Sequence, residues 1–270
     1  MNNFTQRAIT GFFFVLIIVG SMWLGPIPFA VLCSLVTFGS LLEFYKLLIP
    51  EERSSFRLYG AVTGVVLFLL FLQFWDERSY NILNGFVFLL VFGTFVIELF
   101  SGADKPFERI AYLITGWIYI AVPMVLLFNM SMMDSAAYDF VLPLSVLVFI
   151  WTNDTFAYLI GRMIGKTPLF PRISPKKTVE GTLGGLVMVG VAAFVFAMYN
   201  DDYTAPQWIG LALTAAIGGS FGDLVESMLK RSLNIKDSGT ILPGHGGLLD
   251  RFDATLLAAP CCYAYLLIIS

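Results

Sequence analysis

Charge is scarce in this 270-residue chain: 13% of its residues are Asp, Glu, Lys or Arg, where a soluble domain carries about 25%. The missing charge excludes a disordered chain, a nucleic-acid binder and an ordinary soluble enzyme. Cysteine is scarce too. Cys33, Cys261 and Cys262 all lie in apolar stretches, and an odd count without a C-x-x-C pair excludes a disulfide framework and a zinc site. They read as small packing residues. There is one histidine, His245. A Walker loop, a G-x-S-x-G elbow and an H-E-x-x-H site are all absent, and neither an internal repeat nor a low-complexity segment stands out.

What fills the chain is apolar: 58% of the residues are hydrophobic, 26 of them Phe. A soluble core of this length has no room for so many, so the chain reads as an integral membrane protein. Crossing the hydrocarbon takes about 20 apolar residues in a helix. Nine such runs are predicted, near 8–24, 27–48, 58–75, 82–100, 110–130, 140–161, 182–199, 208–228 and 254–269. The runs are continuous, unlike the alternating strands of a membrane barrel. The expected fold is therefore all-α and polytopic, with about nine transmembrane helices. Residues 1–139 would form a scaffold of about five spans. Residues 140–270 would form a catalytic region of about four, with loops at 162–181 and 229–253. The apolar run behind Arg7 resembles a signal peptide, but Trp23-Leu24-Gly25-Pro26 offers no cleavage site, so a retained first helix is expected.

The basic residues support this topology. With the N-terminus cytoplasmic, fifteen of the sixteen fall on the inner side and only Arg78 outside, the bias that cytoplasmic loops carry. A bacterial inner membrane is the expected location.

An acidic residue at the centre of a membrane helix costs about 2.5–3.5 kcal/mol and so needs a partner or a role. The expected helix directions bring Asp154, Asp223, Glu226, Asp250 and Asp253 toward the cytoplasmic boundary. Asp223, Glu226 and Lys230 share one helix face by their spacing. Upstream, Gly218-Gly219-Ser220-Phe221-Gly222 forms a small-residue surface open to another backbone or a ligand. A packing groove with a Glu226–Lys230 ion pair accounts for part of this pattern. Carboxylates on two helices beside lysines and arginines also suit a divalent metal holding a polyphosphate.

Two loops carry the remaining polar residues. Between 236 and 247, four glycines fall within nine residues, freeing backbone amides to approach an anion, with His245 among them. His245 suits contact with a phosphate or nucleobase, or a role in holding the loop. The other loop reads Ser174-Pro175-Lys176-Lys177-Thr178-Val179-Glu180-Gly181. There Thr178 is expected to cap the seventh helix, with Lys176 and Lys177 facing phosphates.

The run Ser227-x-Leu229-Lys230-Arg231, Lys236-Asp237-x-Gly239, Leu242-Pro243-x-His245-Gly246-Gly247-Leu248-x-Asp250-Arg251-Phe252-Asp253 resembles the CDP-diacylglycerol synthases, or phosphatidate cytidylyltransferases. It covers 27 consecutive positions without a gap. The Ser174–Gly181 motif and Trp151-x-x-Asp154-Thr155-x-Ala157-Tyr158 are similar to that family's as well, so the likeness spans about residues 150–260. The first 140 residues match only in being membrane helices.

The resemblance implies a Mg²⁺-dependent homodimeric enzyme of the membrane. It would join CTP to phosphatidate and release pyrophosphate and CDP-diacylglycerol, with a second cation such as K⁺ beside the first. By position, Asp223 and Asp250 would be the metal carboxylates, acting with Lys230 and Arg251. Lys176, Lys177, Arg231, Lys236, His245, Gly246 and Gly247 are the candidate phosphate contacts. Asp154, Glu180, Glu226, Asp237 and Asp253 form a second rank. The rival reading is a cation-coupled transporter with the acids as an ion path, although such proteins often show repeats and midplane sites. The D-G-x-x-A-R signature of the CDP-alcohol phosphotransferases is absent.

Overall fold

The computed structural model describes residues 3–50, 53–72, 77–133, 137–239 and 246–269. The chain divides into two compact units, Met1–Asp139 with Asp237–Asp250, and Phe140–Lys236 with Arg251–Ser270.

The first unit contains α1 (Asn3–Trp23), α2 (Pro26–Leu48), α3 (Ser54–Leu70), α4 (Glu77–Leu99), α5 (Pro106–Gly116) and α6 (Val122–Asn129). A π-helical turn, Trp117–Ala121, joins the last two, so α5 and α6 form one rod. Gly25, at φ 119°, and the prolines at 26 and 28 separate α1 from α2, because proline fits the first turn of a helix but not its interior. The core here is aromatic. Phe29 stacks on Phe128 at 5.3 Å, Tyr45 Oη donates to the Leu113 carbonyl at 3.0 Å, and Trp117 Nε1 donates to that of Gly60 at 2.8 Å. A buried ion pair, Arg109–Glu98 at 3.0 Å, ties α5 to α4, with the guanidinium 4.3 Å over the Phe56 ring.

The second unit contains α7 (Val141–Ile164), the strands β1 (Pro168–Phe170) and β2 (Ser174–Thr178), α8 (Val179–Tyr199), α9 (Ala205–Ser232) and most of α10 (Leu249–Ile269). The antiparallel β1–β2 pair is an addition to the helical fold read from the sequence. Glu180 holds its base: the carboxylate accepts from the backbone of Lys166 (3.0 Å) and Thr167 (3.1 Å) and from Thr167 Oγ1 (2.9 Å). Thr178 caps α8 as expected, accepting from Gly181 N–H at 3.2 Å.

Among the described residues the helical rods coincide with the nine apolar runs, and six are long and apolar enough to cross a membrane. The described apolar stretches of α1, α3 and α4 are Ile9–Trp23, Ser54–Leu70 and Gly85–Leu99. Large apolar side chains are exposed along many of these helices, as expected of surfaces that face lipid.

The small residues of α9 are explained by α10. A Cβ on Gly218 would lie 2.9 Å from Ala258 Cα, and one on Gly222 would lie 2.9 Å from Ala254 Cα. The two helices therefore touch backbone to backbone, which small residues permit. Gly222→Ala should test the contact by the sign of its effect. In an open helix the change stabilises by about 0.8–1.0 kcal/mol, whereas overpacking against rigid backbone costs about 1–3 kcal/mol. A net loss of stability is expected, read as a lower thermal unfolding temperature in detergent; an increase would contradict the packing.

Candidate active site

In the second unit the polar face of α7, the base of the hairpin and the middle of α9 surround a cavity of about 450 Å³. From α7 come Asn153, Asp154, Tyr158 and Arg162; from β2, Lys176 and Lys177; and from α9, Ser220 and Asp223. Glycines bring these elements together: Gly185 of α8 has no Cβ where one would lie 2.6 Å from Asn153 Oδ1. Asn153 is itself buried and donates from Nδ2 to Ser220 Oγ at 3.2 Å.

Asp223 is the centre of the site. Its Oδ2 pairs with the Lys177 ammonium, and its Oδ1 accepts from Ser227 Oγ at 3.2 Å. Both members of the ion pair are partly solvent-accessible, with 27% of the Lys177 side chain and 35% of that of Asp223 exposed. Such a pair adds little to stability and can exchange its partner for a ligand. Asp154 and Asp253 both lie within electrostatic reach of Asp223, so three carboxylates share one neighbourhood. Crowded like charges call for cations. Lys177 supplies one near Asp154, and Lys230 another near Asp253.

One turn further along α9, Glu226 and Lys230 form the ion pair anticipated from their spacing. The Glu226 side chain is fully buried and that of Lys230 is 15% exposed. Glu226 thus holds Lys230 in place. Arg231 Nη1 donates to the Ile235 carbonyl at 3.5 Å, at the turn that ends α9, and Lys236, Asp237 and Arg251 are exposed.

Asp250 belongs to the first unit, with the segment 237–250 that the sequence reading assigns to the C-terminal region. Its Oδ2 accepts from the backbone N–H groups of Ser238 (3.0 Å) and Gly247 (2.8 Å). Gly246 lies at φ 83°, a conformation L side chains avoid, and a Cβ there would sit 2.8 Å from Asp250 Oδ2. Residues 240–245, and with them His245, lie outside the described residues.

Sequence reasoning overlooked Glu43, on α2. It is 2% exposed and accepts from Leu248 N–H (2.9 Å), Leu249 N–H (2.8 Å) and Ser238 Oγ (3.4 Å). The available signal was a lone carboxylate inside the apolar run 27–48. Arg162 also lines the cavity without having been named as a site residue, as does Tyr158, which entered only as part of the family motif.

Among the described residues, no three His, Cys, Asp or Glu side chains are arranged to enclose a metal ion. Mg²⁺ is commonly held by one or two carboxylates together with substrate phosphates, and Asp223 already has a cation at one of its oxygens.

Apolar helices carrying a cavity lined by carboxylates and ammonium groups define a helical integral membrane protein with a polar, charged cavity. A model described as the cytidylyltransferase family matches residues 5–269, and the chain belongs to that family. It is 32% identical to a phosphatidate cytidylyltransferase of Bacillus subtilis (strain 168) over the whole of both chains. A shorter segment of 115 residues is 47% identical to the phosphatidate cytidylyltransferase of Staphylococcus aureus (strain COL), covering 42% of this chain and 44% of that one. The like-named protein of Staphylococcus haemolyticus (strain JCSC1435) is 39% identical over 165 residues, 60% of this chain and 58% of that one. This membership makes the protein a nucleotidyltransferase and leaves the transporter reading without support.

Proposed function

We propose that this protein is a phosphatidate cytidylyltransferase that converts CTP and phosphatidate to CDP-diacylglycerol and pyrophosphate. The observation that carries the reading is the full-length match to a relative of that name. The acid–base cavity around Asp223 supplies suitable chemistry.

An oxygen of the phosphatidate phosphate attacks the α-phosphorus of CTP. As that P–O bond forms, the bond from the α-phosphorus to the bridging oxygen of the β-phosphate breaks, and pyrophosphate leaves with the electron pair. A phosphate monoester is a competent nucleophile at neutral pH, so no strong general base is required. The protein's task is to position the two phosphates and neutralise their charge. Lys177 can transfer its ammonium from Asp223 to an incoming phosphate, with Lys176 and Arg162 lining the same cavity. Glu226 keeps Lys230 oriented. Arg231, Lys236 and Arg251 are further candidate phosphate contacts, and Gly246 and Gly247 contribute backbone amides.

We assign Mg²⁺ to Asp223 and Asp250, with Asp154 and Asp253 in support; when bound, the ion would draw charge from the phosphates and stabilise the leaving pyrophosphate. A second cation such as K⁺, a homodimer, nine crossings and a site facing the cytoplasm of a bacterial inner membrane complete the proposal. The acyl chains would remain in the bilayer.

The test is to incubate the purified protein with CTP, phosphatidate and Mg²⁺ and to follow pyrophosphate and CDP-lipid. Both should form in equal amounts and stop forming in excess chelator. Absence of CDP-lipid would refute the function, and undiminished turnover in chelator would remove the metal.

A further inference from the structure

The glycine-rich segment before α10 has a steric cause located far away in the sequence. α10 starts at Leu249, so the N–H groups of its first residues have no partner within the helix. A Ser, Thr, Asp or Asn at the position before the helix ordinarily supplies one from its own side chain. Here that position is Leu248, whose side chain has no acceptor to offer. Its place is taken by Glu43, more than 200 residues away, whose two carboxylate oxygens accept separately from Leu248 N–H (2.9 Å) and Leu249 N–H (2.8 Å). A Cβ on Gly247 would lie 2.5 Å from Glu43 Oε2 and 2.8 Å from Gly239 N, and one on Gly239 would lie 2.7 Å from Glu43 Cδ. Two of the glycines attributed to anion binding thus leave room for a carboxylate of the protein itself.

The same knot orients Asp250. Its Oδ2 accepts from Gly247 N–H and Ser238 N–H, while Ser238 Oγ donates to Glu43 Oε2. Asp250, the second residue of α10, thus bonds back three positions to Gly247, while Glu43 takes the two N–H groups between, those of Leu248 and Leu249. These two amides belong to Ser238, which Glu43 bonds through its hydroxyl, and to Gly247, which adjoins Leu248.

We infer that Glu43 is a positioning residue for the reaction: it holds Ser238, Leu248 and Leu249 so that Asp250 is presented to the nucleotide and its metal. This rests on the function proposed above. Glutamine at 43 keeps the size but places an NH₂ against one of two N–H donors, so the segment loses a bond and its register.

Two measurements on the full-length protein in detergent test this. In Glu43→Gln, the half-saturating concentrations of Mg²⁺ and CTP should rise by about 10- to 100-fold, the range for loss of a partner that orients a metal ligand. A variant that is merely partly unfolded shows a lower apparent kcat with unchanged half-saturation. Hydrogen exchange should also quicken at Ser238, Leu248 and Leu249 while the Tyr45–Leu113 core keeps its protection. Wild-type half-saturation together with wild-type exchange overturns the inference, as does a fall confined to kcat with protection lost throughout. If Glu43→Gln does not fold, Gly247→Ala, which displaces the carboxylate without removing it, is judged by the same criteria. If the wild type makes no CDP-lipid, the proposed function fails, and local or unchanged exchange in the variant still decides for or against the anchor.

Discussion

Asp223→Asn should lower CDP-diacylglycerol formation by about 10²–10³-fold, the effect of removing one preorganised electrostatic group from a transition state. The variant keeps the shape of the side chain and an oxygen to accept from Ser227 Oγ, now 3.2 Å from Oδ1. It loses the charge that pairs with Lys177 and that Asp154 and Asp253 both sense. Because the Lys177–Asp223 pair is partly exposed, little folding stability depends on it, and the unfolding temperature should stay near that of the wild type. The measurement is the initial rate at saturating CTP and phosphatidate alongside a thermal unfolding curve. A rate within a fewfold of the wild type would remove Asp223 from the reaction, while a collapsed unfolding temperature would make it a structural residue.

Asp250→Asn should have an effect of similar size, about 10²–10³-fold on the rate, but with a different signature. Asp250 Oδ2 accepts two backbone bonds within its own segment. An amide that turns its NH₂ toward Ser238 and Gly247 leaves their N–H groups without an acceptor, costing about 1–3 kcal/mol for each buried group left unsatisfied. An amide that keeps its oxygen there preserves the loop and loses only charge. Hydrogen exchange at Ser238 and Gly247 separates the two cases, and the rate should fall in both. A variant with wild-type turnover would exclude Asp250 from the site. Comparison with Glu43→Gln is informative, because that change disturbs the same loop while leaving the Asp250 carboxylate intact.

Much of this protein was legible from its chain. The helical class follows from apolar runs of membrane-spanning length, and the rods of the structure coincide with them. Thr178 as a cap and Glu226 with Lys230 as a pair follow from spacing alone, since both involve residues three or four apart. The small-residue face of α9 was equally visible, although its sequence left open whether a backbone or a ligand approaches. The structure answers with Ala254 and Ala258 of α10.

Other features depend on chain segments that meet only after folding. Lys177 meets Asp223 across 46 positions, bringing a hairpin against a helix. Glu180, a second-rank candidate in the sequence, accepts from the backbone of Lys166 and Thr167, because the hairpin turns back onto the start of α8. The clearest case is Glu43. In sequence it is one acid in an apolar helix, and Gly239 and Gly247 are glycines of a loop read as an anion-binding one. Periodicity and spacing report neighbours on one element, so they revealed the helices, the caps and the kinds of group available for chemistry. Only tertiary packing decided which carboxylate faces a lysine, which faces backbone amides, and which glycines are small because a buried glutamate lies against them.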